Sequence, residues 1–394
     1  MKSYKNLMEQ IASEDNIRAA IMNASKRKRG RKDVKEVLDD IDTHIQKVRT
    51  MLLDGTYRAH VDEPVIVNEG THHKVRRIRK PHFKYDQIVH HCIIQVLQPI
   101  FTKPMYIYSC GSIPNRGAHY GKKRIEKWLR HDVKSTKYVF KMDIKHFYES
   151  VDQQILKEML KAKIHDWQAL ALIYEVIDSC EKGLPLGNYT SQWFANFMLT
   201  PLDHYIKEQL HAKYYMRYMD DIVIFGGNKK ELHKMHRAIE QYLQDRLHLR
   251  IKENWQVFRF EYKGRGRPLD FMGWQFYRDK TILRKSIFIR ITRKARHVGK
   301  HTTIKGAQGM ISYMGYIKHT DTYGTYRDYI RPYVDIGKLK RFTAKRAKTE
   351  RSRGNANNGL ENQTGHADRK ASDTGYSKQP QDSVLKKEHN TKES

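Results

Sequence analysis

Apolar residues recur along this chain with two different periods, and the switches between them mark out its elements. From Asp33 to Leu53 the apolar positions are Val34, Val37, Leu38, Ile41, Ile45, Val48 and Leu52, the spacing of one helix face with a polar back. Residues 1–60 as a whole read as helical, with a basic break, SKRKRGRK, at Ser25–Lys32. From Thr71 to Lys84 the pattern is short and strand-like, with alternating charges in HKVRRIRK, and Tyr85–Ile100 returns to helix. KYVFKMDI (Lys137–Ile144) predicts a compact strand. Asp152–Cys180 and Thr190–Leu210 predict helices on either side of a loop at Gly183–Asn188. KYYMRYMDDIVIFGG (Lys213–Gly227) then reads as a hairpin of aromatic and β-branched residues. An amphipathic helix over Lys229–Leu247 follows it, then strands at Ile251–Phe258 and Phe271–Leu283 and a basic helical region at Ile289–Met314. From about Ala344 to Ser394 the chain is polar and low in aliphatics. Such a stretch buries too little apolar surface to offset its ordering entropy, which predicts a disordered tail.

The hairpin contains a conflict. Asp220 and Asp221 repel each other and disfavour a strand interior, yet aromatic and β-branched residues surround them. Such a break in local consistency marks a candidate functional site. A further carboxylate, Asp143, ends the apolar strand KYVFKMD, and two strand ends can lie side by side in one antiparallel sheet. Carboxylates gathered at a sheet end are hard oxygen ligands of the kind Mg²⁺ takes. Bound cations would offset the repulsion between neighbouring acids.

Charge narrows the class of partner. The 394 residues carry 75 Lys+Arg against 44 Asp+Glu, a formal net charge of +31, which attracts polyanions. No apolar run reaches the roughly 18 residues of a membrane span, so nucleic acid is the expected partner and no membrane is. The basic break at Ser25–Lys32 reads as a loop touching phosphates. The start, MKSYKNLMEQIASEDNIRAA, lacks an apolar signal region. The three cysteines, Cys92, Cys110 and Cys180, form neither a disulfide framework nor a CxxC zinc pair, which predicts a reducing cytoplasm. Among the 21 histidines the pairs His72–His73 and His90–His91 stand out. Neighbours on a strand point to opposite faces, so these pairs are not read as metal ligands.

KMDIKHFYESVD, GLPLGNYTSQ, RYMDD and LDFMGWQF stand in the order and spacing of the palm motifs of reverse transcriptases, which this chain resembles over residues 30–335. HLRIKENWQVF is similar to the segment that follows the active-site hairpin in that family. The resemblance implies an α+β fold, a right-hand polymerase with an antiparallel palm sheet. Its parts would be a helical N-terminus (1–60), fingers and palm (61–285), a thumb (286–343) and the tail (344–394). It also implies two Mg²⁺ ions, with Mn²⁺ as a substitute, held by Asp143 and Asp220 with Asp221 as the third carboxylate. In two-metal phosphoryl transfer one ion activates the attacking hydroxyl and the other steadies the leaving pyrophosphate. By the same resemblance Tyr148 is the steric gate against a ribose 2′-OH, and Lys74 and Arg76 lie in the finger strand that grips the triphosphate. Lys252 falls near the leaving pyrophosphate, and Gly187 lets the backbone approach the nascent base pair. Gly273 is in the turn of the primer grip. SYMGYIKHTDTY (Ser312–Tyr323) is similar to a thumb segment that follows a duplex backbone.

Leu186 points to a subtype. Group II intron and retroviral enzymes carry Gln directly before the glycine of this motif. The form LGNxTSQ resembles the reverse transcriptases of bacterial and phage diversity-generating retroelements, where an apolar residue accompanies error-prone copying. No maturase or nuclease domain is expected after the thumb, and the VTG usual in retron enzymes is missing. Alternatives are a defence-associated bacterial reverse transcriptase, a retron or group II-like enzyme, and a palm-like RNA-binding module without catalysis. The expected partners are an RNA template, a DNA or RNA primer and dNTPs, with an accessory nucleic-acid-binding protein as a further candidate.

Overall fold

Caps and chain breaks, rather than the apolar period alone, decide where the helices end. The computed structural model describes residues 4–69, 74–261 and 265–345. Helices α1 (Leu7–Ile11) and α2 (Glu14–Ala24) meet at Ser13, whose side chain accepts from Asn16 N–H. The single helix expected over Asp33–Leu53 is two, α3 (Lys32–Asp39) and α4 (Ile41–Leu53), because Asp40 leaves helical space at φ −134°, ψ 61°. The period survives the break because Val34, Val37, Ile45, Val48 and Leu52 are all buried.

Strands β1 (Val65–Glu69) and β2 (Lys74–Ile78) pair antiparallel, with Val67 opposite Arg76. The strand expected to run to Lys84 stops at Ile78, and a π-turn over Phe83–Gln87 leads into α5 (Ile88–Thr102). His90 and His91 lie on that helix rather than on a strand, so they point about 100° apart, the angular step of a 3.6-residue turn. His90 is buried, and His91 stacks on Tyr189 at 4.2 Å between ring centroids. His72 and His73 lie outside the described residues.

Next along the chain come β3 (Ser109–Cys110), α6 (Ala118–His131), β4 (Tyr138–Asp143) and the single turn α7 (Phe147–Ser150). Asp152–Cys180, expected to be helical, is α8 (Gln153–Lys161) and α9 (Trp167–Asp178), each capped by an aspartate. Asp166 caps α9 through Ala169 N–H and also accepts from Leu7 and Met8 N–H at 2.7 and 2.8 Å, so one carboxylate serves two helix starts. The helix expected over Thr190–Leu210 is likewise broken into α10 (Tyr189–Met198), α11 (Thr200–His204) and a π-turn at Tyr205–Gln209. Pro201 at the start of α11 is the sequence signal for that break.

The hairpin is β5 (Tyr214–Tyr218) and β6 (Asp221–Gly226), and α12 (Lys229–Leu247) follows with the expected bounds. Asn228 caps α12 by accepting from Lys230 N–H at 2.8 Å, and His248 ends it in the left-handed region. With β7 (Gln256–Arg259) these strands make a five-stranded sheet in the order β3-β5-β6-β4-β7, antiparallel except between β3 and β5. Ile251, expected in the last strand, makes only an isolated bridge to Ile144. Ile222–Phe225 of β6 are buried throughout. Helix α12 packs on β4, β6 and β7, and α6 packs on β3 and β5.

A second, three-stranded sheet holds β8 (Leu269–Phe271), β9 (Trp274–Phe276) and β10 (Thr281–Leu283). The basic region is α13 (Lys285–Lys300) and α14 (Ile304–Ile317), with α15 (Tyr323–Tyr329) after them. Thr303 accepts from Gly306 N–H, an N-terminal cap that marks the interruption.

By compactness the chain divides into residues 1–290 with 316–324, and residues 291–315 with 325 onward. Residues 316–324, counted with the thumb on sequence, therefore cluster with the first unit. Asp321 N–H donates to Thr281 O, and the Tyr316 ring lies 5.4 Å from Trp274. The second unit buries Ile291, Ala295, Val298, Met310 and Ile330. Residues 336–345 are helical, which includes the first two of the expected tail; the rest of the tail lies outside the described residues. No helix among the described residues is long and apolar enough to cross a membrane.

Candidate active site

Strand register brings the three aspartates together. In the β4–β6 pair Asp143 stands directly opposite Asp221, and in the β5–β6 pair Tyr218 does. Asp220 lies in the tight turn between β5 and β6, behind Met219, whose φ is +57°. Met219 N–H donates to Cys110 O at 3.1 Å and Ile144 N–H to Asp220 O at 3.4 Å, so the turn is tied to both neighbouring strands.

Burial is the main cause pushing the Asp220 carboxyl up to about 7; the nearby negative charge of Asp143, with which it hydrogen-bonds, and that of Asp221 add to it. Burial also raises Asp221, against the opposing pull of Lys141 and Arg284, while Asp143 and Asp270 push the same way as burial. Lys141 donates to Asp270 O at 2.6 Å, and Arg284 Nε to Asp270 Oδ1 at 2.6 Å. The two adjacent acids thus differ in setting. Asp220 faces the charge of Asp143, and Asp221 sits in the field of Lys141, Arg284 and Asp270. These last three escaped the sequence reading, although Lys141 is two residues from Asp143 on one strand and hence on the same face. An all-oxygen donor set whose ionised members repel one another fits a hard divalent cation, Mg²⁺ or Mn²⁺.

Beneath the turn lies a buried polar network that the sequence reading also missed. Arg217 and Asp203 are both 0% exposed and form a two-pronged pair, Nε to Oδ1 at 2.7 Å and Nη2 to Oδ2 at 2.6 Å. Tyr215 and Ser109 hydroxyls donate to the same carboxylate. Arg217 Nη1 donates to Asn196 Oδ1 at 2.9 Å and to Met219 O at 3.1 Å. One guanidinium therefore holds the carbonyl next to Asp220.

Tyr148 is half-buried on α7 and lies in the field of Asp220 and of Arg76; burial and Asp220 raise its hydroxyl, and Arg76 acts in the opposite direction. Arg76 is therefore close to Tyr148, although it comes from β2. Lys74 is the first residue of that strand, opposite Glu69. Lys252 N–H donates to Asp143 O at 2.9 Å, and its ammonium stands 3.9 Å from Asp143 Oδ2. Gly273 is in the β8–β9 turn beside Tyr316 and Ile287. Leu186 is partly exposed, outside the residues packed on the core, and its carbonyl accepts from Arg79 N–H at 2.7 Å. Gly187 is pressed against Arg79 O, where a Cβ would sit 2.0 Å away.

One other grouping, His60, His82 and Asp86, brings ligand-type atoms close together. Its imidazoles stack at 4.5 Å with planes 26° apart, so their in-plane lone pairs do not converge. Asp86 already accepts from Tyr57 Oη and from His60 and His82 N–H. It is a structural knot.

The reverse transcriptase (RNA-dependent DNA polymerase) family model matches residues 72–276, just over half of the chain. The chain belongs to that family. It is 22% identical to Protein YkfC of Escherichia coli (strain K12) over 224 residues, covering 54% of this chain and 54% of that protein. It is 25% identical to the retron Ec73 reverse transcriptase of Escherichia coli over 198 residues, 43% of this chain and 61% of that one. The chain thus spans 54–61% of the length of these relatives. A solved apo telomerase from Candida tropicalis, truncated from the C-terminal domain, is similar at TM-score 0.45 and 15% identity, over 60% of this chain and 59% of that one.

Proposed function

We propose that this chain is an RNA-directed DNA polymerase that extends a DNA or RNA primer with dNTPs on an RNA template. The observation that carries the reading is the meeting of Asp143, Asp220 and Asp221 at one end of the palm sheet, Asp143 opposite Asp221 in register and the Asp220 carbonyl tied to Ile144 N–H. A fold without use for cations would gain by replacing such acids, because their burial and mutual repulsion destabilise it. This argues against an inactive RNA-binding module.

Two Mg²⁺ held by Asp143, Asp220 and Asp221 would supply Lewis acidity at the primer hydroxyl and at the leaving pyrophosphate. The protein's own part is to position. Asp143 and Asp220 would hold the ions at the end of a sheet whose register is fixed, and Arg217 keeps the turn in place from below. Arg76, Lys74 and Lys252 offer positive charge to the triphosphate as negative charge moves onto it. Tyr148 closes the space beside the sugar. Leu186, partly exposed next to Gly187, offers only apolar contact to the nascent pair, which supports error-prone copying of the diversity-generating kind.

Primer extension on a defined RNA template tests the activity. Wild type should incorporate dNTPs with Mg²⁺ and stop when EDTA is added. No incorporation under any primer, template or divalent-ion condition would overturn the reading.

A further inference from the structure

The loop GLPLGN, residues 183–188, is held at both ends by backbone contacts too close for any side chain. At its palm end Leu184 N–H donates to Tyr148 O at 2.7 Å. Gly183 has φ +71°, and a Cβ there would lie 2.3 Å from Tyr148 O and 2.7 Å from Glu149 O. The Gln153 amide grips the same end, donating to Cys180 O at 2.7 Å, Gly183 O at 2.9 Å and Ile177 O at 3.2 Å. In the middle Ser191 Oγ donates to Pro185 O at 2.8 Å. At the finger end Arg79 N–H donates to Leu186 O, and Arg79 Nη1 reaches back to Ser179 O at 2.7 Å. The loop is thus a short braced strut, with the carbonyl of Tyr148 at one end and the end of the Arg76-bearing strand at the other.

The Tyr148 ring packs on the core beside Phe147, with ring centroids 5.7 Å apart, but its backbone is less well held. It belongs to a four-residue turn of helix that begins after His146, at φ +46°, with no side-chain cap. The backbone that carries the ring is docked through its carbonyl against the strut, where Leu184 N–H donates to it. We infer that Gly183 and Gln153 are positioning residues for sugar discrimination, holding Tyr148 where it excludes a ribose 2′-OH. The inference rests on the proposal that Tyr148 is the gate. A methyl at Gly183 cannot share space with Tyr148 O, so the turn must move. A shift of about 1 Å in a positioning element is enough for a hundredfold effect.

Single-nucleotide insertion opposite an RNA template, with kcat/KM measured for a dNTP and its matching rNTP, tests this. Gly183→Ala should cut the dNTP/rNTP preference by about 10- to 100-fold. Gln153→Ala removes only the tie and should cut it by roughly 3- to 10-fold, with a melting temperature that shows a folded protein. Tyr148→Val is the control for the gate and should relax the preference most. If Tyr148→Val relaxes the preference while Gln153→Ala and any folded Gly183→Ala keep the wild-type ratio, the strut has no part in selection and the inference fails alone. If Tyr148→Val leaves the ratio unchanged, the gate assignment fails and takes the inference with it. A merely structural role would lower dNTP and rNTP insertion alike and leave the ratio where it was.

Discussion

Replacing Asp220 by Asn should make the metal-free protein more stable, by an amount that depends on pH. The carboxyl is raised from 3.8 to about 7 in the folded state, by burial first and by Asp143 second. Below the unfolded value the group is protonated in both states and contributes nothing. Between 3.8 and about 7 the unfolded chain ionises while the folded one keeps its proton, so stability falls as pH rises. Above about 7 both states are ionised and the full penalty applies. Three units at ~1.36 kcal/mol each set an upper limit of about 4 kcal/mol. Sharing of the proton with Asp143 and partial access of water reduce this to about 2 kcal/mol. At roughly 2–4 °C per kcal/mol, the expected gain is about 4–8 °C. Thermal unfolding of wild type and Asp220→Asn in EDTA, from pH 4.5 to 8.5, reads it directly. The two curves should nearly meet at the acid end, separate through neutrality and run parallel above it. Saturating Mg²⁺ should raise wild type towards the variant. A difference independent of pH, or a less stable variant at pH 8, would refute the reasoning.

Arg217→Met should cost about 3–5 kcal/mol in denaturant unfolding, because Asp203 would be left buried with its charge unpaired. Arg217→Met combined with Asp203→Leu should recover part of that loss, and a double variant worse than the single would show that the pair is not the source. Leu186→Gln should lower misincorporation by roughly two- to tenfold, most visibly opposite template adenine, since one hydrogen bond shifts pair discrimination by about 0.5–1.5 kcal/mol. Sequencing cDNA made from one defined RNA decides it: equal error spectra would remove Leu186 from the mechanism.

The parts that could be read in the sequence are those where local chemistry and tertiary demand agree. Helix α12 has apolar residues at helical spacing, an Asn cap and a left-handed stop, and its start at Lys229 and its end at about Leu247 were legible. The β5–β6 hairpin was legible because its apolar run is broken only at Arg217 and at the adjacent acids. Longer helical readings failed where the apolar period runs through a break. Asp40 interrupts α3 and α4 without disturbing it, and Pro201 carried a stop signal that the period masked. The contacts that build the site were illegible because they join residues far apart in the chain. Arg79 meets Leu186, Ser109 meets Asp203, and Lys141 meets Asp270, and no single segment shows the partner of any of them. Asp203 and Arg217 were within reach, since a charge at each stands among apolar neighbours, but only burial reveals that one answers the other.

Asp143, Asp220 and Asp221 are proposed here as the metal-binding centre of a polymerase. The most direct test is primer extension on an RNA template with Mg²⁺, comparing wild type with Asp143→Ala and Asp220→Asn beside filter binding of the same RNA. Removing a metal ligand should forfeit several kcal/mol of charge stabilisation, a loss of about three decades in incorporation rate at ~1.4 kcal/mol per decade. RNA affinity should stay within about threefold, because it rests on many distributed Lys and Arg contacts. An Asp220→Asn protein that is folded, binds RNA and incorporates dNTPs at the wild-type rate would contradict the account.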